Sequence, residues 1–193
     1  MRATMDWFRY IENFFNNQSV GAFIGAFSAF ALVVLNDRLR DARKVKNISS
    51  EIEMNLAHAK GKLDSVRSNR TLMKEQNRVM AAPILKFNIM LIRQLAAEVL
   101  SQLSLDQRRA IEALCYRMEA TAEILDEAYL LTKKFSEPLG KSDHINTSKR
   151  LLANYSDAIV NLKLLAEMCE NYVTGNYAVI VTKQYTRLEY EEK

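Results

Sequence analysis

Apolar residues are distributed along this chain in two different ways. Ser19 to Leu35 read SVGAFIGAFSAFALVVL, seventeen residues without a charge and with only two serines against the apolarity. As a helix the run reaches ~25 Å at 1.5 Å per residue, near the lower limit for crossing a bilayer. It is apolar on every face, and a cationic cluster begins directly after it. A soluble core helix rarely carries such a run. A cleaved signal peptide would have a basic segment ahead of the run and a small-residue cleavage site after it. The pattern therefore predicts an uncleaved transmembrane helix over residues 19–35.

From Asn36 onward the apolar positions recur instead at three- and four-residue steps. Leu39, Ala42, Val45, Ile48, Ile52, Leu56, Ala59, Leu63 and Val66 form a narrow seam along one amphipathic helix that continues from the anchor to about Arg67. Asn55 sits beside that seam, where it either fixes register in a helical interface or is solvated. Residues 68–82 are polar without a clean period and read as a connection, with room for a short helix over Leu72–Met80. Ile84–Leu103 is apolar nearly all round. Lys86, Arg93 and Glu98 would each cost ~2.5–3.5 kcal/mol near a bilayer centre, so this stretch is expected in the centre of a bundle. Ser104 with Gln107 forms a capping-box pattern and opens the next helix, which ends before Ser136-Glu137-Pro138-Leu139-Gly140. A further helix is expected over about Asp143–Val173. The Tyr177–Leu188 stretch is β-branched and aromatic, and fits a strand, a last helix or a docked tail.

Ahead of the anchor, Trp7, Phe8, Ile11, Phe14 and Phe15 share one helical face, and Asp6, Arg9, Glu12, Asn13 and Asn16 the other. Residues 1–18 are thus expected to lie as an amphipathic helix in a membrane interface, or against a partner protein. Composition agrees with helices throughout. The 193 residues include only 5 Gly and 2 Pro, too few for the turns of most all-β and α/β folds. The expected fold is all-α: an N-terminal interfacial helix, one transmembrane helix, and an antiparallel bundle of about four helices over 36–193, with a tail at 174–193.

Charge sets the orientation. The net charge is +4, too small for a bulk DNA-coating protein. Arg38, Arg40, Arg43, Lys44 and Lys46 follow the span against only Asp37 and Asp41. The positive-inside rule then puts the C-terminal part in the cytoplasm, with a bacterial inner membrane as the expected location. Cys115 and Cys169 fall at apolar positions of separate helices and are expected as reduced core thiols.

Within the span, Gly21 and Gly25 form a GxxxG pair that Ala22, Ala26 and Ala29 extend. Small residues let helix backbones approach closely, so this face is the candidate for self-association. Motifs for catalysis or metal binding are missing: there is no P-loop, nucleophile elbow, HExxH or CxxC, and His58 and His144, expected at the surface, lack ligand spacing. No enzymatic activity, cofactor or metal is expected. Lys133, Lys134, Lys141, Lys149 and Arg150 cluster around the 136–143 link near a helix N-terminus, and form a candidate patch for an anionic ligand such as a cyclic nucleotide or oligonucleotide.

The order of anchor (Gly21–Leu35), basic stalk (Arg38–Lys46), helix with Glu51-Ile52-Glu53-Met54-Asn55-Leu56, then Leu95–Leu103 and Ser104 resembles small bacterial single-pass membrane proteins with a cytoplasmic helical domain. Some of these are membrane effectors of antiviral defence, including CRISPR accessory effectors that respond to cyclic oligoadenylates. The resemblance is one of layout and transfers no functional residue. It implies a non-enzymatic, oligomeric membrane effector that senses a nucleotide-type or protein signal. The alternative is a membrane-tethered scaffold that docks a cytoplasmic protein.

Overall fold

The computed structural model describes residues 18–80, 86–138 and 140–184. The amphipathic helix expected ahead of the anchor lies outside them, apart from Gln18. The described chain is all-helical, without a strand. Its elements are α1 (Gln18–Gln76), α2 (Ile89–Glu98), a single 3-10 turn (Leu100–Gln102), α3 (Leu105–Phe135), α4 (Lys141–Val173) and α5 (Tyr177–Gln184). The chain divides into two compact units, residues 1–43 and 44–193, and α1 contributes to both.

In the first unit, every residue from Gly21 to Arg40 is exposed. Phe23, Phe27 and Phe30 are each about two-thirds or more accessible (72%, 65% and 68%). None of the most apolar stretch is buried, and α1 is long and apolar enough to cross a membrane.

The second unit has a continuous apolar core. From α1 it takes Ile48, Ile52, Ala59, Leu63, Val66 and Met73, at the helical spacing that the sequence shows. The helix does not end near Arg67, as the polar 68–82 stretch suggests, but runs on to Gln76. Two inward positions hold this last part. Met73 is buried in the core, and the buried Asn69 accepts a hydrogen bond from the backbone N–H of Met80 (2.9 Å) just past the helix. Asn77, at φ 48°, turns the chain out of the helix.

The expected helix over Ile84–Leu103 is shorter than its apolarity suggests. It is confined to Ile89–Glu98, and Val99 breaks it into the 3-10 turn. Lys44 pairs with Glu98 at one end, while Asn55 and Glu51 bond Asn88 at the other, so α2 runs antiparallel to α1.

At the start of α3, Ser104 and Gln107 form the expected capping box: the Gln107 N–H donates to Ser104 Oγ at 3.2 Å, and the Ser104 N–H donates to Gln107 Oε1 at 2.9 Å. α3 and α4 form an antiparallel pair. Arg117 reaches Asn161, Glu127 reaches Arg150, and Phe135 meets His144 near the link. Helix α4 begins two residues earlier than expected, at Lys141. It ends at Val173, and Gly175 supplies a positive φ of 81°.

α5 decides the form of Tyr177–Gln184, which is helical; Tyr185–Leu188 lie outside the described residues. Ile180 is fully buried and Tyr177 packs on Tyr172, so docking against α3 and α4 outweighs the β-propensity of the segment. The packing is bundle-like, built from the second part of α1, the α3–α4 pair and two short helices.

Candidate functional site

The small-residue face of α1 is open. A Cβ built on Gly21 or Gly25 meets no atom within 4 Å, and Ala22, Ala26 and Ala29 are exposed beside them. Gly21 and Gly25 stand one turn apart, so a second helix can approach to backbone contact along this stripe.

The five cations of the candidate anion patch come from two helices and the link between them. Lys133 and Lys134 are exposed in the last turn of α3, where positive charge offsets the helix dipole. Lys149 and Arg150 are exposed on α4. Arg150 bonds Glu127 Oε1 at 3.3 Å. Lys141 is the first residue of α4, and its side chain is outside those described. The N-terminus of α4 carries a carboxylate of its own, Asp143, in its first turn. Of these cations, two stand in the last turn of α3 and one is paired with Glu127.

Two histidines expected at the surface are half-buried. His144 is half-buried against Phe135, with ring centroids 4.3 Å apart, and so pins the start of α4 to the end of α3. His58 is half-buried, and its Nδ1 is buried without a hydrogen bond. Asn55 is fully buried, so of its two expected roles the structural one holds. Its Nδ2 donates to the Glu51 carbonyl (2.9 Å), and its Oδ1 accepts the Asn88 backbone N–H (3.1 Å). Asn88 in turn donates to Glu51 Oε2 at 2.9 Å. One buried amide therefore fixes where the chain enters α2.

Cys115 and Cys169 are free and buried. Burial pushes the Cys115 thiol up to about 11, with Arg93 pulling the other way, and the Cys169 thiol up to about 12. Burial thus favours the neutral thiol over the reactive thiolate at both positions. Among the described residues no group of His, Cys, Asp and Glu is placed to hold a metal ion.

Sequence reasoning missed a cavity of about 240 Å³ between α1, α3 and α4. Lys62, Ser65 and Asn69 face it from α1, Asp126, Tyr129 and Thr132 from α3, and Tyr155 from α4. The Tyr155 and Thr132 hydroxyls are hydrogen-bonded at 2.9 Å. Burial pulls the Lys62 ammonium down from its ordinary pKa, and the Asp126 carboxylate opposes that shift. The available signal was weak: Lys62 interrupts the apolar seam between Ala59 and Leu63, where a surface lysine is the ordinary reading.

No protein-family model matches this chain, and neither a curated protein nor a solved structure is similar to it.

Proposed function

We propose that this protein is a single-pass membrane protein whose first unit anchors and oligomerises it and whose second unit is a non-enzymatic sensing domain. One observation carries the reading: a charge-free helical stretch, exposed throughout, ahead of a unit with its own buried core. Water is a poor solvent for Phe23, Phe27 and Phe30 together; acyl chains or a second copy of the helix are good ones. The open Gly21/Gly25 face supports pairing of copies within the bilayer. The cations at 38–46 favour a cytoplasmic second unit in a bacterial inner membrane, where free cysteines stay reduced. Binding a signal in that unit changes how anchors assemble only if the signal prefers one assembly over another. An effector of antiviral defence is the setting that the layout suggests.

The test is fractionation followed by copy counting. The full chain is expected to resist alkaline carbonate extraction, and to appear as a multimer by native mass spectrometry from nanodiscs. Gly21→Leu with Gly25→Leu should reduce it to a monomer. Release into the soluble fraction overturns the anchor. A wild-type monomer in nanodiscs overturns the oligomeric effector, and a stoichiometric second protein carried from the native host identifies the scaffold reading instead.

A further inference from the structure

We infer that one corner of the second unit, the 3-10 turn with the first turn of α3, docks into the head-group zone of the phospholipid bilayer. The inference rests on the proposed anchor. It can fail on its own, because membrane attachment and copy number are measured separately.

The corner holds apolar side chains outward. Leu100 and Leu105 are 50% and 59% exposed, while the inward places are filled by the buried Val99 and Leu103. Among the described residues Leu130 is the one other exposed leucine of this unit. Hydrogen bonds fix the backbone that carries the two leucines. The Gln102 N–H donates to the Val99 carbonyl (2.8 Å), Arg108 Nε donates to the Leu103 carbonyl (3.1 Å), and Ser104 and Gln107 close the capping box. Neither leucine can turn inward without displacing a packed neighbour. Beside Leu100 the apolar surface continues into a groove of about 310 Å³ between α2 and α3, whose lining includes Ala96, Ala97 and Ile111.

What covers these leucines follows from where the chain enters the unit. Lys44 is its first residue, and the Lys44 ammonium pairs with Glu98 at 2.6 Å, two residues before Leu100. Leu35 precedes Lys44 by nine residues. Whatever angle the second unit adopts, that length of chain tethers its entry point within ~30 Å of the end of the span. A short tether supplies an effective concentration in the millimolar range, so a contact too weak for free molecules becomes populated. Two leucines fall far short of the ~800 Å² that each partner buries in a specific protein interface, which favours lipid over a second protein. The charges agree in position. Arg109 is exposed one turn beyond Leu105 on the same helical face, with Asp106 the one anion of that turn. Leucine at the acyl boundary with a cation at phosphate height is the arrangement of an interfacial helix end.

The experiment places a fluorophore on the full chain in phospholipid nanodiscs, at Ser101→Cys in the corner or at Ser68→Cys on the exposed far part of α1. The two native thiols are buried and do not compete for the label. Lipids brominated on the upper acyl chain are expected to quench the label at position 101 and not at 68, and dissolved iodide is expected to do the reverse. Leu100→Gln with Leu105→Gln should abolish the lipid quenching at 101 while the chain stays in the membrane fraction. Both side chains are exposed, so the thermal melt of this variant should match wild type. Equal lipid quenching at the two positions, or quenching at 101 that survives the double substitution, overturns the docking. A label at 101 shielded from iodide but untouched by bromolipid also overturns it, since protein then covers the corner. Release of the chain on alkaline extraction overturns the anchor and the docking together, whereas a bound chain with an unquenched corner overturns the docking alone.

Discussion

Helix α1 carries two stretches built from the same secondary structure and opposite burial. Residues 21–40 hold its most apolar sequence and bury none of it, while residues 44–76 are mixed in polarity and bury a single seam of Ile48, Ile52, Ala59, Leu63, Val66 and Met73. In water that arrangement is inverted, because apolar surface should be buried in proportion to its amount. The two stretches therefore answer to different surroundings. Amphipathic periodicity is the mark of a helix whose solvent differs from face to face. Its absence in an apolar helix is what the proposed membrane anchor requires, one apolar environment all round.

The sharpest way to break this contrast is to truncate one large apolar side chain in each unit. Leu165→Ala removes a fully buried side chain from α4, and should cost about 2–5 kcal/mol of unfolding free energy. Phe27→Ala removes a larger side chain but should leave that free energy within about 0.5 kcal/mol, since Phe27 touches no core. Chemical denaturation followed by tryptophan-independent circular dichroism measures both. A comparable loss in the two variants would mean that the first stretch packs inside the same cooperative unit. Conversely, Ala26→Lys should leave the melt unchanged and weaken insertion by about 2.5–3.5 kcal/mol, read as release on alkaline extraction.

Most of the core faces were legible in the sequence where a seam repeats many times. Ile111, Leu114, Cys115 and Met118 on α3, and Leu151, Tyr155, Ala158, Leu162, Leu165 and Cys169 on α4, recur at three- and four-residue steps and are buried, whereas Tyr129, in step with the α3 set, is 43% exposed. Legibility fails at the ends. Ile145 lies three and seven residues from Ser148 and Leu152 yet is 48% exposed, because the inward positions of that turn are His144, packed on Phe135, and the buried Thr147. The last turns of α1 were hidden because only Asn69 and Met73 mark them, and α5 because its strand-like residues gain more from docking Ile180 than from pairing. The cavity was invisible for a different reason. A void depends on how side chains from three helices fail to meet, and no single helix's periodicity encodes that.

Next in size are effects inside the second unit that have no counterpart in the first. The two thiols titrate near 9.0 when unfolded and at about 11 and about 12 in place, because burial favours the neutral form. The folded state therefore holds these protons more tightly, and its advantage is complete below pH 9. As pH rises beyond 9 the unfolded chain ionises first, and stability should fall by roughly 1 kcal/mol per thiol for each pH unit up to the folded value. Cys115→Ala with Cys169→Ala should flatten that part of the slope in denaturation curves recorded from pH 9 to about 11. Both thiols should also resist a thiol reagent in native protein and react on unfolding. Asn55→Leu comes close behind. It keeps the volume but strands the Asn88 N–H, and should cost about 1–3 kcal/mol.

The smallest effect tests whether surface charge belongs to the contrast at all. Arg93 Nη1 and Nη2 donate to the two carboxylate oxygens of Glu119 at 2.7 and 3.0 Å, so α2 and α3 are joined by a two-point ion pair. The geometry is the favourable fork-to-fork one, and the hydrogen bond to Glu119 raises the Arg93 pKa further above its ordinary value. Both side chains are nevertheless about half exposed, so water and salt screen them and the ordering of two long side chains offsets the gain. A double-mutant cycle with Arg93→Gln and Glu119→Gln should give a coupling of about 0.2–1 kcal/mol, shrinking as salt is raised. A larger coupling that persists in high salt would place the pair in a low-dielectric setting. The α2–α3 surface would then be covered in the working protein, and the proposed division between a lipid-facing first unit and a water-facing second one would be redrawn there.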